Sequence, residues 1–112
     1  MKQVIVTGGR DYSDWEKVQS VLDFHQPDVV IQGGASGADK LAKEWAKLNF
    51  KDFVTVEADW QKHGRAAGPI RNRLMLDSYP DAFVIAFPGG RGTADCVRAA
   101  TERNRIVFQV HK

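Results

Sequence analysis

A single cysteine, Cys96, leaves this chain without an intramolecular disulfide, and His25, His63 and His111 are too scattered for a His/Cys zinc site, so no metal is expected. No apolar run is long enough for a signal peptide or a membrane span, so the expectation is a cytoplasmic protein without a membrane partner. Charge of neither sign dominates: the net charge of +2 is too small to mark a nucleic-acid binder by itself. The phosphate loop G-x-x-x-x-G-K-[ST] is missing. So is the dinucleotide fingerprint, because Gly90-x-Gly92 has Asp95 where a third glycine would fall and the second apolar run ends in Gln32 rather than an acid. With 112 residues there is room for one core, and residues 1–112 are expected to form a single domain.

What the chain does have is glycine in pairs, each pair closing a strand-like run: Val4–Thr7 before Gly8-Gly9-Arg10, Val29–Gln32 before Gly33-Gly34-Ala35-Ser36-Gly37, and Val84–Phe87 before Pro88-Gly89-Gly90-Arg91-Gly92-Thr93. Between them, apolar residues recur at helical spacing, as in Trp15, Val18, Val21 and Leu22, or Ala38, Leu41, Ala42, Trp45 and Ala46. Ser13-Asp14-Trp15-Glu16 reads as a capping box opening the first helix. Five strands follow from the alternation, at about Gln3–Thr7, Val29–Gln32, Phe53–Val56, Ala82–Phe87 and Ile106–Val110, with helices between them. Glu57–Gly68 is a polar connection longer than a βα turn needs, Gly68-Pro69 should open the third helix, and the fourth should run from about Thr93 to Arg103. Repeated βα units with apolar strands predict an α/β fold: a small Rossmann-like, doubly wound parallel sheet in the order 3-2-1-4-5, helices on both faces.

That topology gives the glycines a common address. Parallel strands place their carboxyl ends on one edge, and ligands bind there where the strand order reverses, between the first and fourth strands. Glycine lets backbone N–H groups approach a ligand, and the following helix N-terminus favours an anion. The second half of the chain relies on Arg65, Arg71, Arg73, Arg91, Arg98, Arg103 and Arg105, with only Lys62 and Lys112 beside them, which suits a compact phosphate or carboxylate. Arg71 and Arg73 open a helix whose dipole disfavours cations there, so Arg71 is the first candidate for an anion contact, with Asn72 and Arg73 behind it. The alternative for Arg71 is a structural salt bridge to Asp59 or Asp95. Asp39 and Asp95, each expected in the first turn after a glycine loop, either stabilise the helix dipole, accept ribose hydroxyls or orient Arg71. Ser36 and Thr93 can cap a helix or bind phosphate. Trp60 and His63 can stack on a base or tuck against the sheet, and Cys96 reads as a small buried side chain rather than a nucleophile.

Gly33-Gly34-Ala35-x-Gly37-Ala38-Asp39, Ala58-Asp59-Trp60, Ala67-Gly68-Pro69-x-Arg71-Asn72-x-x-Met75 and Pro88-Gly89-Gly90-x-Gly92-Thr93-Ala94-Asp95 together resemble the SLOG superfamily, specifically its YspA/cpYpsA-related branch of bacteria and phages, over essentially the whole chain. The resemblance implies a Rossmannoid fold and a site for a nucleotide-derived ligand. Its LOG relatives, phosphoribohydrolases of nucleoside monophosphates, share Pro88–Thr93 and Arg71 with Met75. Their catalytic glutamate falls at Cys96, and Asp95, one residue earlier, is turned by about 100° on a helix. The DNA-processing relatives typified by DprA share Arg71-Asn72-Arg73 and bind single-stranded DNA.

The expected function is binding or sensing of a nucleotide-derived small molecule, with no cofactor required. Its ligand-binding residues are Gly8, Gly9, Arg10, Gly33, Gly34, Ser36, Gly37, Asp39, Trp60, Arg71, Asn72, Pro88, Gly89, Gly90, Gly92 and Thr93. The alternative is an N-glycosidic nucleotide hydrolase with Arg71 and Asp95 as catalytic residues. Single-stranded nucleic acid ranks third as a partner, and the dimers of LOG relatives extend to an expected homodimer.

Overall fold

The computed structural model describes all residues 1–112. Strands β1 (Gln3–Thr7), β2 (Val29–Gln32), β3 (Asp52–Thr55), β4 (Phe83–Ala86) and β5 (Val107–Gln109) form one sheet in the order β3-β2-β1-β4-β5. Every neighbouring pair is parallel, with Ile5 opposite Ile31 in β2 and opposite Val84 in β4. This is the α/β, Rossmann-like order expected from the repeated βα pattern.

Alternation along the central strands supplies two cores. Val4, Val6, Val30, Ile85 and Phe87 meet helices α1 (Trp15–His25) and α2 (Ala38–Leu48) through Val18, Leu22, Ala42, Trp45 and Ala46. Ile5, Ile31 and Val84 face the opposite way and meet Met75, Leu76, Ala99 and Ala100. Those residues come from two later helices, at Ala67–Ser78 and Arg91–Glu102. The edge strands are less apolar than expected: Asp52, Phe53 and Thr55 of β3 are exposed, as are Phe108 and Gln109 of β5. Short edges of this kind resist pairing with other chains.

Several helix boundaries differ from expectation. The cap of α1 is Asp14, whose Oδ1 accepts from the Lys17 N–H at 3.1 Å, rather than Ser13; a carboxylate is the stronger acceptor for first-turn donors. The long polar connection is not irregular. It contains helix α3 (Trp60–His63), capped by Asp59, and a 3-10 turn at Gly64–Ala66 that leads into α4 (Ala67–Ser78). Pro69 is therefore the third residue of its helix, which is tolerated because first-turn N–H groups have no helical partner. Helix α5 spans Arg91–Glu102, two residues earlier than expected, so Gly90 caps it and Thr93 lies inside its first turn. No helix is long and apolar enough to cross a membrane.

Candidate functional site

The carboxyl ends of β1, β2 and β4 bring the three glycine turns together. Gly9 donates to the Pro88 carbonyl at 2.9 Å, and its own carbonyl accepts from Ala38 at 3.1 Å, so the first turn is bonded to each of the other two. Gly37 shows why a side chain is excluded there: its φ is +75°, and a Cβ would collide with the Gly9 carbonyl. Ser36 donates its hydroxyl to the Arg10 carbonyl at 3.0 Å, which ties down the same junction.

Above this junction lies a cleft of about 1330 Å³ over the β1/β4 reversal. Arg10, Arg65, Arg71, Arg91, Arg98 and Lys112 line it, against Asp11 and Asp39, so the wall is strongly cationic although the whole chain is nearly balanced. A smaller cleft of about 360 Å³ adjoins it at the end of β2, and Arg10, Ala35, Trp60 and Arg71 belong to both. Arg10 stands over the Trp60 ring, 5.5 Å from its centroid, at the boundary between them.

One wall of the larger cleft is the N-terminus of α5. No side chain caps Gly90, the first turn holds no acid, and a Cβ at Gly90 or Gly92 would meet nothing within 4 Å. Its first-turn N–H groups have no helical partner, and the space beside Gly90 and Gly92 is open. Thr93 does not cap the helix, and its hydroxyl rests against Gly89.

The β2–α2 turn behaves differently. Gly33 and Ala35 donate their N–H groups to Asp39 Oδ2 at 3.2 and 3.3 Å, and Gly34 donates to Gln32 Oε1 at 2.6 Å. Those three donors are satisfied within the protein. Burial pushes the Asp39 carboxyl up to about 6, against the lowering effects of the Ala35 and Gly33 hydrogen bonds and of Arg71 and Arg10.

Arg71 pairs with neither Asp59 nor Asp95. Its Nη1 donates to the Gly33 carbonyl at 2.9 Å and its Nε to Asn72 Oδ1 at 3.0 Å. Asn72, buried, donates Nδ2 to Asp95 Oδ2 at 3.1 Å and to the Gly92 carbonyl at 3.2 Å. Asp95 also accepts from Arg73 at 3.0 Å and Arg98 at 3.1 Å. Burial opposes its ionisation, yet the hydrogen bonds from Arg73 and Asn72 and the charges of Arg73 and Arg98 hold it below the usual carboxylate range.

Cys96 is fully buried and its thiol is pushed up to about 11 by burial, partly opposed by a hydrogen bond with Thr7, so it is no nucleophile. His, Cys, Asp and Glu side chains nowhere gather in threes that could hold a metal ion. Gly8, Gly9, Arg10, Trp60, Asn72, Pro88 and Gly89 all line the larger cleft, whereas His63 lines neither. Not among the expected ligand-binding residues are Arg65, Arg91, Arg98, His111 and Lys112, which also line it. The last two reach the cleft because β5 lies beside β4 with its carboxyl end on the same edge, a consequence of strand order that carries no local motif.

A family model described as the YspA, cpYpsA-related SLOG family (YAcAr) matches residues 2–63. The Gene 61 protein of Mycobacterium phage D29 is 40% identical over 112 residues, covering 89% of this chain and 89% of that protein. Among solved structures, DNA processing protein A (DprA) from Streptococcus pneumoniae matches with a TM-score of 0.79 at 18% identity, a likeness of fold. The match covers 100% of this chain and 51% of that one, so the chain spans about half of that protein. By the family match and the phage relative, this chain belongs to the YspA/cpYpsA-related SLOG family.

Proposed function

We propose that the protein binds a nucleotide or nucleotide-derived small molecule in the cleft over the β1/β4 reversal, with the anionic group at the N-terminus of α5 and against Arg71. The observation that carries this reading is the open start of α5. Gly90 and Gly92 lie in a cationic cleft with empty space where a side chain would be, above a first turn that no side chain caps. The protein's own packing gives no reason for glycine at either position, whereas a phosphate approaching backbone N–H groups does. Trp60, half-exposed beneath Arg10, offers a face for a base.

Hydrolysis of an N-glycosidic bond draws less support from this geometry. Asp95 has both oxygens engaged by Arg73, Arg98 and Asn72, and its lowered pKa leaves it no proton to give a departing base. Single-stranded nucleic acid is the second reading, favoured by the same row of arginines and by the fold shared with a DNA-processing protein.

Titration calorimetry with nucleoside phosphates and short oligonucleotides separates the three. The expected result is mononucleotide binding that Arg71→Ala weakens about ten- to a hundredfold, the range for losing a charged hydrogen-bond donor, without release of free base. Base release abolished by Asp95→Asn would install the hydrolase instead. Oligonucleotide binding that falls steeply with salt, with no mononucleotide binding, would install the nucleic-acid reading.

A further inference from the structure

We infer that Asn72 is a positioning residue for Arg71, braced by Asp95 and the Gly92 carbonyl so that the guanidinium turns its free edge to the cleft as a two-pronged donor for an oxyanion. Only the identity of the ligand rests on the nucleotide reading above.

The orientation of the Asn72 amide is over-determined. Its Nδ2 lies between two acceptors, Gly92 O at 3.2 Å and Asp95 Oδ2 at 3.1 Å, while its Oδ1 meets a donor, Arg71 Nε, at 3.0 Å. Flipping the amide would set oxygen against two acceptors and an NH₂ against an N–H, so only one arrangement satisfies all partners. Asp95 cannot drift, because Arg73 and Arg98 hold its two oxygens.

The other grip on Arg71 is built the same way. Nη1 donates to the Gly33 carbonyl, and the Gly33 turn is pinned to α2 through Asp39, which accepts from the Gly33 and Ala35 N–H groups. Both acceptors that hold the guanidinium are thus anchored by a buried carboxylate, Asp39 on one side and Asp95 on the other. Of the five guanidinium N–H groups, two are used in this way, which leaves one on Nη1 and two on Nη2 of a side chain that lines both clefts. An arginine already ordered before the ligand arrives loses less freedom on binding. On this reading neither Asn72 nor Asp95 touches the ligand, and each acts through Arg71.

A residue that merely pins α4 to α5 would contribute stability and affect every ligand alike. Two readouts separate that role from positioning. Side-chain ¹⁵N spectra, with the Arg71 Nε–H assigned by its loss in Arg71→Lys, should show this proton exchanging about tenfold or more slower than that of exposed Arg91 in the unaltered protein, as expected for a hydrogen-bonded donor, and Asn72→Ala should abolish the difference. Titration with inorganic phosphate should weaken about tenfold in Asn72→Ala, and the same substitution should add nothing in an Arg71→Ala background. Equal exchange of the two arginines in the unaltered protein overturns the inference, as does a loss of phosphate affinity that is the same in both backgrounds, or an unaltered protein that does not take phosphate through Arg71. Should Asn72→Ala fail to fold, the exchange comparison in the unaltered protein decides alone. A protein that takes phosphate through Arg71 and rejects every nucleotide would sink the nucleotide reading and leave this one standing.

Discussion

At Asp39 a carboxylate is kept 93% out of solvent yet placed on the wall of a ligand-sized cleft, being only 7% exposed. Burial raises its pKa to about 6, above the ordinary value near 4 that it regains on unfolding. Between those values the native protein holds more protons than the unfolded chain, so this group's contribution to stability falls as pH rises from about 4 to about 6. The full penalty, on the order of 3 kcal/mol, is present only well above pH ~6, and part of it is already felt at pH 4. Asp39→Asn removes the titration and keeps one oxygen for the Gly33 and Ala35 N–H groups. Urea unfolding of both proteins at pH 4 and pH 7 should therefore find their stability difference shifted toward the variant at pH 7 by about 2 kcal/mol. A difference that does not change with pH would mean that Asp39 ionises normally.

Two elements of the site use glycine for opposite reasons, and substitution separates them. In the β2–α2 turn Gly37 is demanded by the protein itself, through a φ of +75° and the approach of the Gly9 carbonyl. Gly37→Ala should lower thermal stability by more than about 1 kcal/mol, the strain of a positive φ alone, with the collision added. In α5, Gly92 is helical, unstrained and open. Gly92→Ala should leave stability unchanged or raised by about 0.5–1 kcal/mol, as for alanine over glycine in a helix, and should weaken anion binding because its methyl stands where the ligand would approach. Melting curves that rank the two variants the other way would remove the distinction. Much of this was legible in sequence: strand order follows from the βα alternation, and β1 and β2 keep the bounds their apolar runs define. What was not legible depended on partners distant in the chain. The pairing of Arg71 with Gly33 spans 38 positions and that of Asn72 with Asp95 spans 23, and no local pattern distinguishes those from a salt bridge between Arg71 and Asp95. Helix starts shifted for a more local reason. Asp14 outcompetes Ser13 as an acceptor, and Gly90 ends the β4 turn one residue before α5 begins.

Over the whole molecule, one sheet is shared by two cores, and this bears on how the chain unfolds. Val4 and Val6 point toward α1 and α2 while Ile5, between them, points toward α4 and α5, so each residue step along β1 alternates the face it supports. Losing the helices on one face would leave the apolar side chains of that face in water, and the strands carrying them are the same ones that hold the other core. Trp45 and Leu76 are fully buried on opposite faces. Trp45→Ala and Leu76→Ala should each cost roughly 2–5 kcal/mol, the range for large core truncations, a large share of the ~5–15 kcal/mol a domain holds in total. We propose that residues 1–112 fold as one cooperative unit. Each variant should then shift a single urea transition to lower concentration with its slope unchanged, whether followed by tryptophan fluorescence or by far-ultraviolet dichroism. Fluorescence and dichroism would report different midpoints in Trp45→Ala or Leu76→Ala if one face could melt while the other stayed packed. That outcome would split the molecule into two stability units and place the site, built from turns of both, across their boundary.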